Sequence, residues 1–311
     1  MVKVCFVGIG SIAKRHIRNL HQICNELRID LTVDALRRKN SDVSDKLEYI
    51  SNTYYTSDEL PKDYDVIFLT NPTEYHVQSL IQLHNNAKHF FIEKPVASLD
   101  TIGLLENFKM RSDSVYYVAC PLRYTDVIQY LKSNIDDKKV NSIRVISSSY
   151  LPDWRPGIDY RKTYSAHKNL GGGVSIDLIH EWDYLSFLFG LPDEVKSFIG
   201  KVSNLEIDSD DFAVYIAKYS DNMIAELHLD YFGRKTIRKI EIYTDKDTIV
   251  GDLIAGEVRY LKSGEIVKLQ SDRDIYQKRE LRHFIGLING KIDEYNDVGN
   301  AIKVLKLTQG L

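Results

Sequence analysis

Gly8-Ile9-Gly10-Ser11-Ile12-Ala13 is a stretch of this 311-residue chain whose spacing directly implies chemistry. A G-x-G-x-x-A turn between an apolar run at 2–7 and an amphipathic run at 11–27 suits a pyrophosphate. Gly8 permits a tight turn, Gly10 lets the backbone approach the phosphates, and Ala13 is small enough for close helix–sheet packing. Ser11 and Ile12 open a helix whose free N–H groups and positive dipole end face an anion. The implied ligand is a dinucleotide. An acidic residue at the end of the second strand of such a unit ordinarily holds the ribose 2′-hydroxyl. Here Arg37 and Arg38 stand at that end, and Asp34 lies too early. Paired arginines suit a 2′-phosphate, so the residue types favour NADP over NAD. A solvated basic loop would carry the same residues. Thr70-Asn71-Pro72 follows the next apolar run, at the carboxyl end where open α/β sheets bind ligands. A helix cap by Asn71 or Thr73 fits there equally well.

A second constellation lies mid-chain, in Trp154-Arg155-Pro156-Gly157-Ile158-Asp159-Tyr160-Arg161. The aromatic faces of Trp154 and Tyr160, with arginine and aspartate beside them, suit a polar, ring-shaped substrate. Arg155 or Arg161 meeting an anion would point to a nucleotide-sugar phosphate or a sugar acid. An ordered structural loop is the alternative.

These residues need elements to hold them. Apolar runs at 2–7, 31–36, 65–70, 88–92 and 115–119 alternate with amphipathic stretches at 11–27, 74–86 and 99–110. Strands separated by helices mean parallel βαβ units. The expectation for residues 1–121 is an α/β Rossmann domain with a doubly wound parallel sheet. Beyond residue 121 the pattern changes. A helix at 125–133, a strand at 142–150 and the loop at 151–168 precede Gly171-Gly172-Gly173 and a helix over 174–189. Strands are expected at 195–202, 211–219, 223–231, 237–244, 248–253, 257–261 and 266–269, then helices at 274–289 and 298–306. Residues 122–311 therefore read as an α+β second domain with a mostly antiparallel sheet.

Composition limits the partners. Hydrophobic residues make up 43% and charged residues 27%, which suits a folded globular chain rather than disorder. A net charge of −3 offers no global field for nucleic acid or an anionic membrane. No apolar run approaches the roughly 18 residues that cross a bilayer. Residues 2–7 are too short for a signal-peptide core, and Gly8 breaks them. Cys5, Cys24 and Cys120 are odd in number and lack C-x-x-C spacing, so neither a disulfide framework nor a metal site is indicated. Reduced thiols in a cytoplasmic protein are expected.

Glu93-Lys94-Pro95 after the strand at 88–92, the three glycines at 171–173, and Asp177 with His180 in the following helix complete a pattern. With the N-terminal fingerprint, in this order, the chain resembles the glucose–fructose oxidoreductase/inositol dehydrogenase (Gfo/Idh/MocA) family over most of its length. The resemblance implies hydride transfer between a nicotinamide and a hydroxyl or carbonyl of a sugar, nucleotide sugar or related polyol, with the second domain serving substrate binding and oligomerisation. It implies catalytic roles for Lys94, Asp177 and His180, with Glu93 and Lys94 also beside the cofactor and Asp177 also touching substrate. Arg123 lies where the family's strand enters the active cleft and is a further candidate for substrate contact. One departure stands out: the family commonly places the histidine four residues after the aspartate, and here the gap is three. Positions i and i+3 still share a helix face.

Oxidising a secondary alcohol needs a hydride acceptor and a base. His180 begins near the working range, whereas Lys94 needs its pKa lowered or acts as a cation on the oxygen. Each residue has a plainer reading: Lys94 as a surface lysine before a turn, His180 as a core histidine, Asp177 as a local cap. Glu181 and Asp183 read as a solvated or interdomain face, and His16 as a packed or exposed helix residue. The alternative function is a non-catalytic, dinucleotide-dependent sensor or binding protein on the same scaffold. A third is a reductase of a non-sugar carbonyl, which the arginine-bearing loop disfavours. A sheet covered by helices on one face leaves the other open, and the resemblance implies a homo-oligomer, dimer or tetramer, through it.

Overall fold

A computed structural model of the chain describes residues 2–39, 48–135, 140–220, 222–270 and 272–311. The chain divides into two compact units, Met1–Ala119 with Gln277–Ile302, and Cys120–Tyr276 with Lys303–Leu311.

In the first unit β1 (Val2–Val7), α1 (Ser11–Leu27), β2 (Leu31–Leu36), β3 (Asn52–Tyr54), β4 (Tyr64–Leu69), α2 (His76–Leu83), β5 (Ala87–Ile92), α3 (Ile102–Glu106) and β6 (Tyr116–Val118) follow one another. All six strands pair in parallel, in the order β3-β2-β1-β4-β5-β6. The order reverses between β1 and β4, and ligands of such sheets bind at the carboxyl ends of the strands at that point. Near-continuous apolar runs are what a parallel sheet buried on both faces requires, and Cys5, Phe6, Ile67, Phe68, Phe90 and Phe91 are all inaccessible.

Some expected elements change. β3 has no apolar period to announce it. It is fixed instead by the buried Asp34 of β2, whose Oδ1 accepts from Asn52 N (3.1 Å) and Asn52 Nδ2 (2.9 Å). Tyr64 Oη donates to the other oxygen at 2.8 Å, so Asp34 is a structural pin across three strands. The helix expected over 99–110 shrinks to α3, where Asn107 Nδ2 donates to the Gly103 carbonyl at 2.7 Å and competes with the backbone for it. The helix expected over 74–86 begins as a 3₁₀ turn at Thr73–Tyr75 and is α-helical only over α2.

The expected second domain, 122–311, also loses its segment 277–302 to the first unit. Phe284 sets its ring 5.3 Å from Phe91 and 5.6 Å from Tyr117. Tyr117 Oη donates to Glu280 at 3.1 Å, and Val118 N donates to Asn296 O at 2.9 Å, extending the edge of β6.

The second unit holds α4 (Asp126–Asn134), β7 (Val140–Tyr150), α5 (Val174–Asp177), α6 (His180–Phe189) and seven further strands. These are β8 (Glu194–Gly200), β9 (Phe212–Lys218), β10 (Ile224–Asp230), β11 (Phe232–Thr244), β12 (Thr248–Asp252), β13 (Glu257–Tyr260) and β14 (Ile266–Lys268). The two C-terminal helices are α7 (Arg273–Ile288) and α8 (Val298–Leu307). The eight-stranded sheet has the order β14-β13-β12-β11-β7-β10-β9-β8, antiparallel except where β7 meets β10. Alternation sorts its faces. Ala213, Tyr215, Ala217, Leu227, Leu229, Ile240 and Ile242 are buried. On that side Trp182 of α6 stands edge-on to Tyr215 at 5.2 Å. α4 packs there too, since a Cβ on Gly251 would press on Val127 and Leu131 at 3.0 Å. The opposite face leaves Phe198 76% and Ile216 46% exposed.

Candidate active site

The fingerprint turn owes its shape to two different glycine requirements. Gly8 has a left-handed φ of +83°, and a Cβ there would lie 2.7 Å from Asn71 Cα. Only glycine lets the end of β1 abut the residue after β4. Thr70 closes the junction, its Oγ1 donating to Gly8 O at 2.7 Å and Val7 O at 3.1 Å. Gly10 has no such neighbour: a Cβ would meet nothing within 4 Å. It precedes α1, which has no side-chain cap and no acidic residue in its first turn. Ala13 is fully buried against the sheet. An open backbone turn before an uncapped helix fits the pyrophosphate of a dinucleotide. At the end of β2, Arg37 N donates to Tyr54 O at 3.0 Å, and the Arg38 guanidinium lies 5.0 Å over the Tyr75 ring. Neither Asn71 nor Thr73 caps a helix. Asn71 instead donates from Nδ2 to Ser79 Oγ at 2.9 Å, and Pro72 occupies the cap position.

Glu93-Lys94-Pro95 follows β5, with a cis Lys94–Pro95 bond. Glu93 N donates to Leu69 O at 2.9 Å, which brings this turn beside the end of β4. Two histidines hold the turn. His16 of α1 sets Nε2 2.6 Å from Glu93 Oε1, while Glu93 Oε2 accepts from Lys94 N at 3.3 Å. His76 of α2 spans Asn71 O (2.9 Å) and Pro95 O (3.0 Å) with its two ring nitrogens. Burial opposes the Glu93 charge. The His16 hydrogen bond and the charges of His16, Lys94 and His76 outweigh it and hold the carboxyl below its ordinary value. His16 is thus packed, and bonded to the Glu93 carboxylate. Its clue in the sequence was a polar side chain on the buried stripe of Ala13, Ile17 and Leu20.

In the second unit two of the three glycines make room for close neighbours, Gly172 for backbone and Gly173 for a carboxyl. A side chain on Gly172 would collide with the Tyr164 and Ser165 carbonyls, and one on Gly173, at φ +132°, with the Asp210 carboxyl. Asp210 accepts from Val174 N on its carbonyl (2.9 Å) and from Ser175 N on Oδ2 (2.8 Å). These bonds dictate the direction of α5, all of which is buried, and the chain turns at Leu178 (φ −95°, ψ 28°) before α6 begins. The single helix expected over 174–189 is therefore two. Asp177 ends one and His180 opens the other, so a shared helix face no longer relates them. Tyr231 Oη donates to Asp177 Oδ2 at 2.5 Å. Tyr164 also hydrogen-bonds Asp177, and although the residue is 44% exposed, desolvation of its phenol together with that carboxylate holds the phenol well above its ordinary value. Burial likewise raises the Asp210 carboxyl, with Asp177 adding to the shift. Trp154 stands edge-on to Tyr231 at 5.1 Å and donates from Nε1 to Ser149 Oγ at 2.9 Å. The Arg155 guanidinium lies 5.4 Å over the Tyr164 ring.

Asp177, Trp154 and Arg155 are thereby brought together through Tyr164 and Tyr231, neither of which the sequence reading had selected. Tyr231 continues the inward alternation of Leu227 and Leu229. Asp210, in an acidic run, gave no separate signal. Three expectations change. Arg123 forks onto Asp183 (Nε–Oδ2 2.9 Å, Nη2–Oδ1 2.7 Å), so its guanidinium is committed within the protein rather than offered to substrate. Arg161 pairs with Asp159 at 2.9 Å and Glu206 at 3.0 Å on the surface, and Tyr160 Oη accepts from Glu206 N at 3.2 Å. Glu181 and Asp183 do not form a solvated face. Glu181 is 0% exposed and pairs with Arg238 of β11 at 2.7 Å, while burial pushes its carboxyl up. His180 is half-buried. Among the described residues no group of three or more His, Cys, Asp or Glu could hold a metal ion, and no helix is long and apolar enough to cross a membrane.

A family model described as "Oxidoreductase family, NAD-binding Rossmann fold" matches residues 2–110, and one described as "GFO/IDH/MocA C-terminal domain" matches residues 128–250. The chain is 26% identical over 187 residues to the uncharacterized oxidoreductase YrbE of Bacillus subtilis, covering 59% of this chain and 52% of that protein. It thus spans about half the length of that relative. It is 22% identical over 272 residues to myo-inositol 2-dehydrogenase of Thermotoga maritima, covering 81% and 75% respectively. The WlbA dehydrogenase from Bordetella pertussis, solved in complex with NADH and UDP-GlcNAcA, superposes with a TM-score of 0.80 at 17% identity. That match covers 99% of this chain and 94% of that one and shows a shared fold.

The open space before Gly10 generates a prediction. Gly10→Val should fold normally, since a Cβ there meets nothing within 4 Å among the described residues, yet lose at least about tenfold in dinucleotide affinity, ~1.4 kcal/mol. Calorimetry with the reduced dinucleotide checks it, and unchanged affinity in a folded variant would sink it.

Proposed function

The chain belongs to the Gfo/Idh/MocA oxidoreductase family, and from that premise we propose that it is an NAD(P)-dependent dehydrogenase or reductase of a sugar, nucleotide sugar or related polyol. The observation that carries the substrate class is Asp177, a carboxylate bonded by Tyr231 Oη at 2.5 Å in a cluster with Tyr164, Trp154 and Arg155. Carboxylate and phenols match the donors and acceptors of a polyol, and the indole offers a ring face. Arg155 adds a cation that suits an acidic or phosphorylated sugar.

A bound nicotinamide supplies the hydride acceptor or donor. Gly8, Gly10, Ser11, Ile12 and Ala13 would hold its pyrophosphate, and Arg37 and Arg38 its adenosine end. Thr70, Asn71, Pro72, Glu93 and Lys94 would line the carboxyl ends of β4 and β5. In oxidation the substrate hydroxyl loses its proton to the Lys94 amine, which must be neutral to accept it. In reduction the Lys94 ammonium returns that proton to the carbonyl oxygen, and before transfer its charge polarises that oxygen. Asp177 orients the substrate hydroxyls. His180 is the second proton-transfer candidate. The proposed setting is the cytoplasm, where the three free, buried cysteines stay reduced.

Lys94→Ala should lower turnover by ~10²–10⁴-fold while dinucleotide affinity holds, as expected for a general acid/base. Single-turnover nicotinamide absorbance against a panel of sugars, sugar acids and nucleotide sugars measures it. Full activity in the variant rejects the assignment. Wild type should bind NADP more tightly than NAD, and Arg37→Ala should narrow the ratio; an NAD preference untouched by the change excludes the arginine reading. The open sheet face should pair two or four copies. Phe198→Asp with Ile216→Asp should then shift the mass by light scattering towards the monomer, whereas a monomeric wild type at micromolar concentration ends that claim.

A further inference from the structure

Lys94 sits in a turn whose two neighbours are each tied to a buried imidazole on a different helix. Before it, Glu93 accepts from His16 of α1 at 2.6 Å. After it, the Pro95 carbonyl faces His76 Nδ1 of α2 at 3.0 Å, and the same ring reaches Asn71 O at 2.9 Å. His16 is 1% exposed and lies against the Phe91 ring at 5.2 Å and the Phe68 ring at 6.4 Å. A polar ring in such apolar company is costly unless bonded. Among the described residues its Nδ1 is buried with no hydrogen-bond partner, so the ring bonds to Glu93 alone. A carboxylate can only accept, so the proton in this contact belongs to Nε2. Glu93 in turn accepts on both oxygens: Oε1 from His16, Oε2 from the Lys94 N–H at 3.3 Å.

We propose that His16 and Glu93 are positioning residues for Lys94: the imidazole fixes the carboxylate, and the carboxylate fixes the backbone of Lys94 and sets a negative charge on the residue next to its amine. A merely structural pair would join α1 to the end of β5 and have no effect on the amine. Here the anchored carboxylate lies directly before Lys94 in the chain and accepts from its backbone N–H at 3.3 Å, and the Lys94 charge is among those that favour the ionised form of Glu93. The pair thereby links the helix behind the dinucleotide turn to the residue proposed to move the proton. The inference rests on the reading of Lys94 as the proton-transfer group.

The test needs neither substrate nor cofactor. Lysine amines are reductively methylated with ¹³C-formaldehyde, and Lys94 is assigned from its loss in Lys94→Arg and titrated by NMR. In Glu93→Gln the Lys94 midpoint should fall by about one unit, a tenfold change in its ionisation constant. In His16→Leu the carboxylate loses its other donor and the midpoint should rise. In His16→Gln, whose amide N–H stands near the Nε2 position, it should stay at the wild-type value. A midpoint indifferent to Glu93→Gln, or one displaced equally by His16→Gln and His16→Leu, overturns the proposal. If the variants do not fold, ring ¹⁵N spectra of the wild type decide. His16 should carry its proton on Nε2 around neutral pH, and a proton on Nδ1 instead overturns the inference. Full activity of Lys94→Ala would reject the functional reading and leave this titration unaffected, so the two failures are separable.

Discussion

Two strand ends can meet at a sheet's switch point only if no side chain stands between them. At Gly8 a Cβ would fall within 3 Å of Asn71 backbone atoms, and much of the first unit's chemistry follows from its absence. Because β1 and β4 abut there, Thr70 can bond back to Val7 and Gly8, and the Asn71 carbonyl comes within reach of His76. His76 passes the constraint to Pro95, and His16 returns it from Glu93 to α1. The dinucleotide turn and the lysine turn are thus parts of one hydrogen-bonded loop of structure. Sites built this way keep their geometry because each member's rotamer is set by another's.

The second unit uses the same device with opposite polarity. Gly172 and Gly173 admit a backbone turn and the Asp210 carboxyl where side chains would collide. That close approach bends the chain between α5 and α6 and turns Asp177 towards Tyr231. Burial, and to a smaller extent the neighbouring Asp177, disfavours the charged form of Asp210, whose carboxyl accepts from Ser175 N, while Asp177 accepts from the Tyr231 phenol.

What could be read in the sequence divides along the range of the forces involved. β1, α1 and β2 came out with their observed ends, because strand burial and a helical stripe are local periodicities. The fingerprint was legible because its glycines serve a turn only a few residues long. β3, the break at Leu178 and the transfer of 277–302 to the first unit were not, since each is imposed by a partner distant in sequence: Asp34, Asp210, and the rings around Phe284. The same holds within the sites. Lys94, Asp177 and Trp154 could be singled out by motif and residue type. His76, Tyr164 and Tyr231 could not, because what gives them meaning is the group each one touches.

Arginine shows the limit of residue type most clearly. Arg123, Arg155 and Arg161 all read as candidates for substrate contact, the last two as anion binders, yet the fold separates them by what each already holds. Arg123 is forked by Asp183, and Arg161 by Asp159 and Glu206. A bidentate carboxylate neutralises a guanidinium and uses its directed donors, so an incoming anion would have to displace a covalently tethered competitor. Arg155 rests on the Tyr164 ring, and among the described residues no carboxylate pairs with it. A ring face attracts the cation without occupying its in-plane N–H groups. Tyr164 also bonds Asp177, so one phenol joins the cation to the carboxylate. On the proposed reading, a substrate would then offer hydroxyls at Asp177 and any negative group at Arg155. Acidic sugars would gain a single charge-assisted contact, and neutral polyols would forgo it without leaving a buried carboxylate unmatched.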